Sequence, residues 1–535
     1  MPTLTIDNTA VSFEPGETIL QAAARAGIAI PTLCSFEGIE PPTSCYVCVV
    51  KIQGKNGMAP SCATLAEEGL VVESGSEEVR RYRRPALELL LSEHAGDCEA
   101  PCRRICPADL DIPVMARHIA AGALEAAART VRERLALPGV LGHVCPAPCQ
   151  KGCVRAPLDG AVSIRELHKG VAEAAADGAT TAPRAATATG KRVAIIGAGP
   201  AGLSGAFYLA LRGHACTVID EREEPGGMLR YGIDRATLPL AVLDREIALI
   251  RSLGVEFRMG CGVNSQLVLD ELLQRSDAVV FATGEHSPDR PWPFDVTVTP
   301  KGIAVDAHTY ATGRAGVFAC GGAIAVCRMA VRAVGQGRMT AESVHGFLTR
   351  SAVGTDRSPR FDSRLGKPDD KELRQLAATD LASRDHAASG SGPFDSALVA
   401  AAGRCLQCDC GKKLDCALRA YAHEYEVNRD QYRTGARKPV ARARYASGLV
   451  HEPGKCIDCG RCIGITSAEQ IRPGLAFGNR GFDVAVKAPF GADMDVAMGS
   501  ALNRCVAACP VGALWSEDKS SRPESGATAR TPSSH

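Results

Sequence analysis

Cysteine is the residue type in this chain whose spacing most clearly indicates chemistry. The 535 residues include 23 cysteines, and most of them recur at gaps of two or three residues. Such gaps favour metal or cluster ligation over disulfide pairing, which is typical of small secreted domains. Four facing thiolates can hold either an iron–sulfur cluster or zinc. The spacing within each group therefore has to distinguish between the two.

The first group has the pattern C-x10-C-x2-C-x13-C and consists of Cys34, Cys45, Cys48 and Cys62. This differs from the plant ferredoxin spacing C-x4-C-x2-C. It resembles the N-terminal [2Fe–2S] domain of the large iron–sulfur subunit of respiratory NADH dehydrogenase, and of NAD-linked hydrogenases and formate dehydrogenases. The resemblance implies a β-grasp ferredoxin domain over residues 1–82, with the four thiolates as ligands. A structural zinc site is the alternative.

Two further groups fall within residues 83–178, a stretch that is predicted to be helical. The segment CPAPCQKGCVRAPLDGAVSIR, residues 145–165, resembles the small subunit of glutamate synthase and the N-terminal domain of dihydropyrimidine dehydrogenase. That family binds two [4Fe–4S] clusters, and its first group reads C-x2-C-x4-C-x3-C-P. Here three cysteines are spaced by x3 and x3 instead, and the preceding LLLSEHAGDC resembles the histidine-plus-cysteine segment of the NADH dehydrogenase subunit.

These resemblances imply two interleaved ligand sets in the helical domain. The first set is His94, Cys98, Cys102 and Cys153. The second set is Cys106, Cys145 and Cys149, with His168 as the fourth ligand and Glu166 as its alternative. The departure of the first group from the family pattern also leaves open that only one cluster forms.

Residues 190–350 have the alternating pattern of a Rossmann-like domain. KRVAIIGAGPAGLSGAFYLALRGHACTVIDE gives a strand, a G-x-G-x-x-G turn, a helix and a second strand that ends at Asp220. The glycines allow close approach of a pyrophosphate to the helix N-terminus, and the acid can bind a ribose hydroxyl. EEPGGMLRYGI and GVFACGG resemble flavin-contacting segments of the glutamate synthase small subunit, although the family's Gly-Asp pair is Gly-Gly here. The resemblance implies that FAD is bound by Gly197, Gly199, Pro200, Ala201, Gly202, Asp220, Gly226, Gly227, Met228, Arg230, Tyr231, Thr283, Gly284, Gly321 and Gly322.

The nicotinamide domain of that family has no room in this sequence. Only residues 285–300 separate Gly284 from the strand leading to Ala304, whereas a βαβ unit needs roughly 30 residues or more. We therefore expect a flavin domain without a hydride donor of its own. The alternative is that FAD accepts hydride at a site built elsewhere.

The C-terminal part contains two more cysteine groups after a predicted linker, residues 351–400. In residues 401–440 one [4Fe–4S] cluster, or alternatively zinc, is expected on Cys405, Cys408, Cys410 and Cys416. Residues 445–516 resemble a bacterial ferredoxin and a cluster region of the NADH dehydrogenase large subunit, with Cys456, Cys459, Cys462 and Cys509 as ligands. Cys505 is the alternative to Cys509. The tail, residues 517–535, is predicted to be disordered.

The bulk composition narrows the functional classes. The 61 basic and 60 acidic residues give a net charge of +1. Such a balance provides no net electrostatic attraction to nucleic acid or to an anionic membrane. No export signal or membrane-spanning apolar run is recognisable, so a cytoplasmic location without membrane insertion is expected.

The sequence thus predicts a multidomain α+β and α/β oxidoreductase with FAD, one [2Fe–2S] and up to four [4Fe–4S] clusters. We expect an electron-transfer subunit of a multisubunit enzyme, with terminal catalysis on a partner and no catalytic residue in this chain. The expected partners are an NAD(P)-binding flavoprotein, a hydrogenase, a formate dehydrogenase or ferredoxin-type proteins, and electron bifurcation at the FAD is compatible with the pattern. The alternatives are a self-contained NAD(P)H-dependent flavin reductase and a zinc-rich scaffold.

Overall fold

Two units interleave along the chain. The computed structural model describes residues 1–176, 183–286, 292–351, 361–382 and 394–517. Unit 1 comprises the described residues within Met1–Glu99, Pro359–Ser383 and Cys408–His535, and unit 2 those within Ala100–Ser358 and Arg384–Gln407. The chain therefore leaves unit 1 after Glu99 and returns to it at two later points.

Unit 1 begins with a five-stranded sheet. Its elements are β1 (Thr3–Ile6), β2 (Thr9–Ser12), α1 (Ile19–Arg25), β3 (Val49–Ile52), β4 (Met58–Pro60), β5 (Val71–Glu73) and α2 (Glu77–Ser92). The strand order is β2-β1-β5-β3-β4, in which only β1 and β5 are parallel. A capping box between Thr18 and Gln21 fixes the start of α1. Two antiparallel strands and a helix thus open unit 1.

Unit 2 begins with seven short helices. They are α3 (Pro101–Ile105), α4 (Ile112–Ala120), α5 (Leu124–Arg132), α6 (Pro138–Val144), α7 (Pro148–Lys151), α8 (Ala156–Asp159) and α9 (Ile164–Ala174). Proline stands in the first turn of several of them, where its missing N–H has no helical partner to lose. Cys102 lies in α3 and Cys149 in α7, whereas Cys106, Cys145 and Cys153 lie between helices.

A parallel sheet follows in unit 2. Its elements are β6 (Arg192–Ile196), α10 (Pro200–Leu211), β7 (Ala215–Ile219), α11 (Met228–Tyr231), α12 (Leu240–Ser252), β8 (Glu256–Arg258), α13 (Gln266–Arg275), β9 (Ala278–Phe281), β10 (Val298–Thr299), β11 (Gly302–Ile303), β12 (Val317–Ala319) and α14 (Ala330–Thr349). The order β12-β9-β6-β7-β8 is parallel throughout. The order reverses direction at β6, and ligands of such sheets bind outside the carboxyl ends of the strands at that point.

The remaining described elements lie beyond residue 360. They are α15 (Asp370–Ala382), α16 (Ser396–Gly403), α17 (Ala417–Glu424), β13 (Ala443–Arg444), β14 (Leu449–His451), α18 (Arg461–Ala468), β15 (Ala476–Gly478), β16 (Ala485–Lys487), α19 (Met494–Met498), α20 (Leu502–Ala508) and β17 (Leu514–Ser516). Only α16 belongs to unit 2. The predicted linker 351–400 thus includes α15 and half of α16. Of the predicted disordered tail, residues 518–535 lie outside the described residues.

Among the described residues, no helix combines the length and the apolar character required to cross a bilayer.

Candidate cofactor sites

Four thiols converge in the N-terminal part of unit 1. Cys34 and Cys45 lie on the loop between α1 and β3, Cys48 immediately precedes β3, and Cys62 follows β4. All four are buried. Cys34 shares hydrogen bonds with Cys45 and Cys62, and Cys62 also with Cys48. These contacts lower the pKa of Cys34 and Cys48 and raise that of Cys45 and Cys62. Four sulfur atoms in mutual contact are a donor set that fits a [2Fe–2S] cluster or zinc.

A cavity in the C-terminal part of unit 1 is lined by Cys456, Cys459, Cys462 and Cys509. Burial raises the pKa of Cys459 to about 12 and that of Cys456 well above its usual value. Cys505 is also buried but is not part of the lining; its Sγ faces the carbonyl of Cys462 at 3.7 Å. The four lining thiols fit an iron–sulfur cubane.

A third group combines two stretches of unit 1 that are distant in sequence. The backbone N–H of Cys410 donates to the carbonyl of Cys98 at 3.3 Å, and Cys416 interacts electrostatically with both residues. His94 is buried, with Nδ1 3.1 Å from the carbonyl of Lys455. Because that carbonyl can only accept, Nδ1 carries the proton and the lone pair lies on Nε2. Histidines that ligate metals are usually held in this way.

Two of the predicted ligand sets contain residues of both units. Cys98 was expected with Cys102 and Cys153, but those two belong to unit 2. Cys405 was expected with Cys408, Cys410 and Cys416, but Cys405 belongs to unit 2 and the other three to unit 1. The chain passes from unit 1 to unit 2 after Glu99 and returns to unit 1 at Cys408.

Two buried cations border the third group, and the sequence analysis did not identify them. Arg419 interacts electrostatically with Cys98, and Lys455 with Cys410. Lys455 Nζ also lies 2.8 Å from Glu452 Oε2. Although burial alone would raise it, the pKa of Glu452 is held at about 2 by Lys455 and Arg442. Single basic residues carry no spacing signal, so only the tertiary structure identifies them.

In unit 2, Cys106, Cys145 and Cys149 form another group. Cys149 interacts electrostatically with the other two, and burial together with this repulsion raises its pKa to about 12. His168 is fully buried, and its Nδ1 lies 3.3 Å from the carbonyl of Pro138. Pro138 begins α6 and Cys145 follows its end, so about 10 Å of helix separates the two. The contact of His168 is thus at the opposite end of α6 from Cys145.

Glu166, the alternative fourth ligand, is at the surface. Its side chain is 50% exposed and pairs with Arg165 at 3.2 Å. Arg165 in turn reaches back to the cysteine group, since its Nη1 lies 3.4 Å from the carbonyl of Cys145. Neither predicted candidate is brought into direct contact with the three thiols by these interactions.

The glycine turn after β6 is shaped for a dinucleotide. Gly197 has φ +110°, and a Cβ on Gly202 would lie 1.9 Å from the carbonyl oxygen of Gly197. A Cβ on Gly199 would meet nothing within 4 Å, so the space in front of this residue is open. Asp220 accepts from the backbone N–H of Ala198 at 2.6 Å. The acid therefore stabilises the turn and still has lone pairs for a ribose hydroxyl.

A second loop packs against this turn. The N–H of Gly226 donates to the carbonyl of Ala198 at 2.9 Å, and a Cβ on Gly227 would lie 2.7 Å from Cα of Gly199. Of the predicted contacts in α11, which begins after this loop, Met228 and Tyr231 are exposed and Arg230 pairs with Asp244. The glycines of this loop thus contact the glycine turn, whereas the Arg230 side chain is engaged in an ion pair with Asp244.

The remaining glycines of the dinucleotide site follow the ends of β9 and β12. A Cβ on Gly322 would lie 3.0 Å from the carbonyl carbon of Gly284, and a Cβ on Gly321 would lie 2.7 Å from Cβ of Ala201. Thr283 is exposed at the same edge. The three glycine segments therefore meet at the carboxyl ends of the parallel strands, where a dinucleotide fits.

Between Gly284 and β12, residues 285–286 and 292–316 contain one hairpin of two-residue strands, β10 and β11. No second dinucleotide-binding βαβ unit occurs in these described residues. This agrees with the expectation from chain length.

Comparison with known families supports the same order of domains. Residues 1–77 match a 2Fe-2S iron-sulfur cluster binding domain. Residues 89–179 match dihydropyrimidine dehydrogenase domain II, 4Fe-4S cluster, and residues 195–251 match an NAD(P)-binding Rossmann-like domain. The chain thus combines these three kinds of domain.

Individual relatives match parts of the chain. The NADP(+)-dependent formate dehydrogenase subunit beta of Moorella thermoacetica is 39% identical over 36% of this chain and 30% of its own length. The NAD-dependent dihydropyrimidine dehydrogenase subunit PreT homolog of Salmonella typhi is 37% identical over 37% of this chain and 49% of its own length. A structure of an NAD+-reducing [NiFe]-hydrogenase in the H2-reduced state is 41% identical over 17% of this chain and 39% of its own, with a TM-score of 0.16. The chain therefore spans at most about half the length of these relatives. The predicted resemblance to the glutamate synthase and dihydropyrimidine dehydrogenase group, joined to iron–sulfur domains, is confirmed.

Proposed function

We propose that this chain is the electron-transfer subunit of a multisubunit cytoplasmic oxidoreductase, with terminal catalysis on a partner subunit. The observation that carries the proposal is the series of thiol groups in unit 1. Cys416 of the third group interacts electrostatically with Cys509 of the cavity, and Cys459 of the cavity interacts with Cys34 of the N-terminal group. Electron conduction requires redox sites that neighbour one another in this way.

The groups differ in the cofactors they fit. The N-terminal group would hold a [2Fe–2S] cluster, the cavity a [4Fe–4S] cluster on its four lining cysteines, and the third group a [4Fe–4S] cluster on His94, Cys98, Cys410 and Cys416. In unit 2, the group at Cys106, Cys145 and Cys149 would hold another. Iron–sulfur clusters supply one-electron redox chemistry, and FAD, when bound at the glycine turn, adds exchange between one- and two-electron steps.

The protein's own side chains favour this chemistry in unit 1. Thiols of all three groups meet at one apolar core, which contains Cys34, Cys45 and Cys459 and has Cys416, Cys456 and Cys509 packed against it. Backbone N–H groups point at sulfur, as Asp458 does at Cys456 over 3.4 Å and Ser363 at Cys98 over 3.3 Å. Such donors and nearby cations stabilise negative charge on a cluster, which raises its reduction potential.

The relatives support an oxidoreductase complex with partner subunits. Their names describe subunits of a formate dehydrogenase and of a dihydropyrimidine dehydrogenase. By the same reasoning, the partners of this chain would be an NAD(P)-binding flavoprotein, a hydrogenase, a formate dehydrogenase or ferredoxin-type proteins. Electron bifurcation at the FAD is compatible with such a complex.

The second candidate is a self-contained NAD(P)H-dependent flavin reductase. One observation favours it, namely the match of residues 195–251 to a domain described as NAD(P)-binding. In that case a nicotinamide dinucleotide would bind in the open space before Gly199. Alternatively, FAD would accept hydride at a site other than the nicotinamide domain of the glutamate synthase family.

Anaerobic mixing separates the two candidates. The purified, flavin-loaded chain is mixed with NADH, with NADPH and with dithionite, and flavin absorbance is followed together with flavin and iron content. Under the electron-transfer proposal, only dithionite bleaches the flavin, and iron is present at about 14 atoms per chain if these four clusters form. Rapid bleaching by either nucleotide would favour the reductase, and zinc in place of iron would refute the electron-transfer proposal.

A further inference from the structure

The cysteine segment of residues 405–416 is divided between the two units, and its first cysteine joins the helical part of unit 2. Helix α16, which immediately precedes Cys405, packs against α9. A Cβ on Gly170 in α9 would lie 2.6 Å from Cδ2 of Leu398 in α16. The close approach shows that α16 is an integral part of the helical packing, although the chain reaches it only after the parallel sheet.

Hydrogen bonds of Arg155 and Arg404 hold the residue before Cys405, which is Arg404 itself. Arg155 donates from Nη1 to the carbonyl of Arg404 at 2.7 Å, across 249 positions of sequence. Arg404 Nη2 donates to the carbonyls of Asp159 and Gly160, each at 2.8 Å, and to Asp159 Oδ1 at 3.1 Å. Arg155 itself is 6% exposed. Cys405 is thereby held beside the segment that directly follows Cys153.

Cys153 is close to Cys102 by a separate set of contacts. A Cβ on Gly152 would lie 3.2 Å from the carbonyl of Pro101 and 2.3 Å from Cδ1 of Ile105. Cys102, Cys153 and Cys405 are all half-buried and pack against one apolar core. The contacts of Gly152 with Pro101 and of Arg155 with Arg404 bring the neighbours of these cysteines together, and three thiolates in one place are a donor set for an iron–sulfur cluster.

We propose that Cys405 is a ligand of the cluster held by Cys102 and Cys153. The inference rests on the proposed function, because it assumes that the helical region binds iron. It also accounts for the altered first group, in which the C-x2-C pair expected upstream of Cys102 is absent. Cys405 supplies a thiol from a segment that follows the flavin domain in the sequence.

The test uses the full chain purified anaerobically, with Cys405→Ser, Cys102→Ser, the double variant and Cys416→Ser. Iron, acid-labile sulfide and the low-temperature EPR spectrum after dithionite reduction are measured. We expect Cys405→Ser and Cys102→Ser to remove the same EPR component and about four iron atoms. The double variant should lose no more than either single variant, and Cys416→Ser should remove a different component.

Loss of the same component in Cys405→Ser and Cys416→Ser would overturn the proposal, as would an unchanged spectrum of Cys405→Ser. If Cys405→Ser does not fold, Arg155→Met provides the second test, because Arg155 is a positioning residue that holds Arg404. A change confined to the component that Cys102→Ser removes supports the proposal, and an unchanged spectrum refutes it.

Failure of the proposed function gives different results. Bleaching of the flavin by NADH or NADPH would refute an electron conduit and leave the EPR assignment of Cys405 intact. Zinc in the parent chain would refute the iron chemistry itself. Loss of one zinc per chain in both Cys102→Ser and Cys405→Ser would still place the two residues at one metal site.

Discussion

Two glycine-to-alanine variants test the dinucleotide site, because they differ in which contact the added methyl group makes. Gly199→Ala places a Cβ where the protein has nothing within 4 Å. Its backbone, at φ −75° and ψ −178°, suits alanine. The residue is the N-cap of α10, so the expected loss of unfolding free energy is about 1 kcal/mol or less. A pyrophosphate bound at this turn would meet the new methyl group, at a cost of about 1–3 kcal/mol of binding free energy, or roughly 5- to 150-fold in Kd.

Gly202→Ala is the contrasting variant. Its Cβ would lie 1.9 Å from the carbonyl oxygen of Gly197, and a backbone atom cannot move away as the end of a side chain can. We expect about 2–4 kcal/mol of destabilisation, with loss of flavin as a secondary effect of the distorted turn.

The assay combines three measurements on each variant: flavin per chain, Kd of the flavin-free protein for FAD by fluorescence titration, and the thermal unfolding midpoint. EPR spectra of the reduced clusters serve as the control for intact cysteine groups. We expect the Gly199→Ala variant to be nearly as stable as the parent and to bind FAD more weakly. Parent-like affinity in that variant would show that the pyrophosphate does not approach Gly199.

Other predictions concern the cysteine groups and one buried acid. Cys98→Ser and Cys416→Ser should each remove the same EPR component, because both thiols belong to the third group; loss of two different components would contradict that grouping. Cys509→Ser should remove about four iron atoms, whereas Cys505→Ser should keep the full iron content, and the reverse result would exchange their roles. Burial raises the pKa of Glu246 to about 7 despite hydrogen bonds from two backbone amides. Its folded-state pKa exceeds the ordinary 4.5, so the stability contribution is present below pH 4.5 and lost as pH rises to 7. Relative to Glu246→Gln, the parent should lose about 3 kcal/mol of unfolding free energy over that window in denaturant titrations, and parallel pH profiles would refute this.

The local elements of this protein could be predicted from sequence because their signals are local. The spacing of Cys34 to Cys62 lies within one loop-and-hairpin region, and the structure brings those four sulfur atoms together. The glycine turn at Gly197 and the acid at Asp220 lie on consecutive strands, so their proximity follows from the βαβ connection. The run from Cys456 to Cys462 likewise forms one wall of one cavity.

What sequence spacing could not determine is which cysteine groups combine across long stretches of chain. Cys98 and Cys405 are each adjacent in sequence to residues of the other unit, because the chain crosses between units at Glu99 and Cys408. Hydrogen bonds join Cys410 to Cys98 and Arg155 to Arg404, and no pattern in the sequence predicts either pairing. The sequence by itself determined the kinds of domain and the available ligands. The tertiary structure alone decided how the ligands combine, because non-local contacts depend on how the whole chain packs and not on the spacing within any one segment.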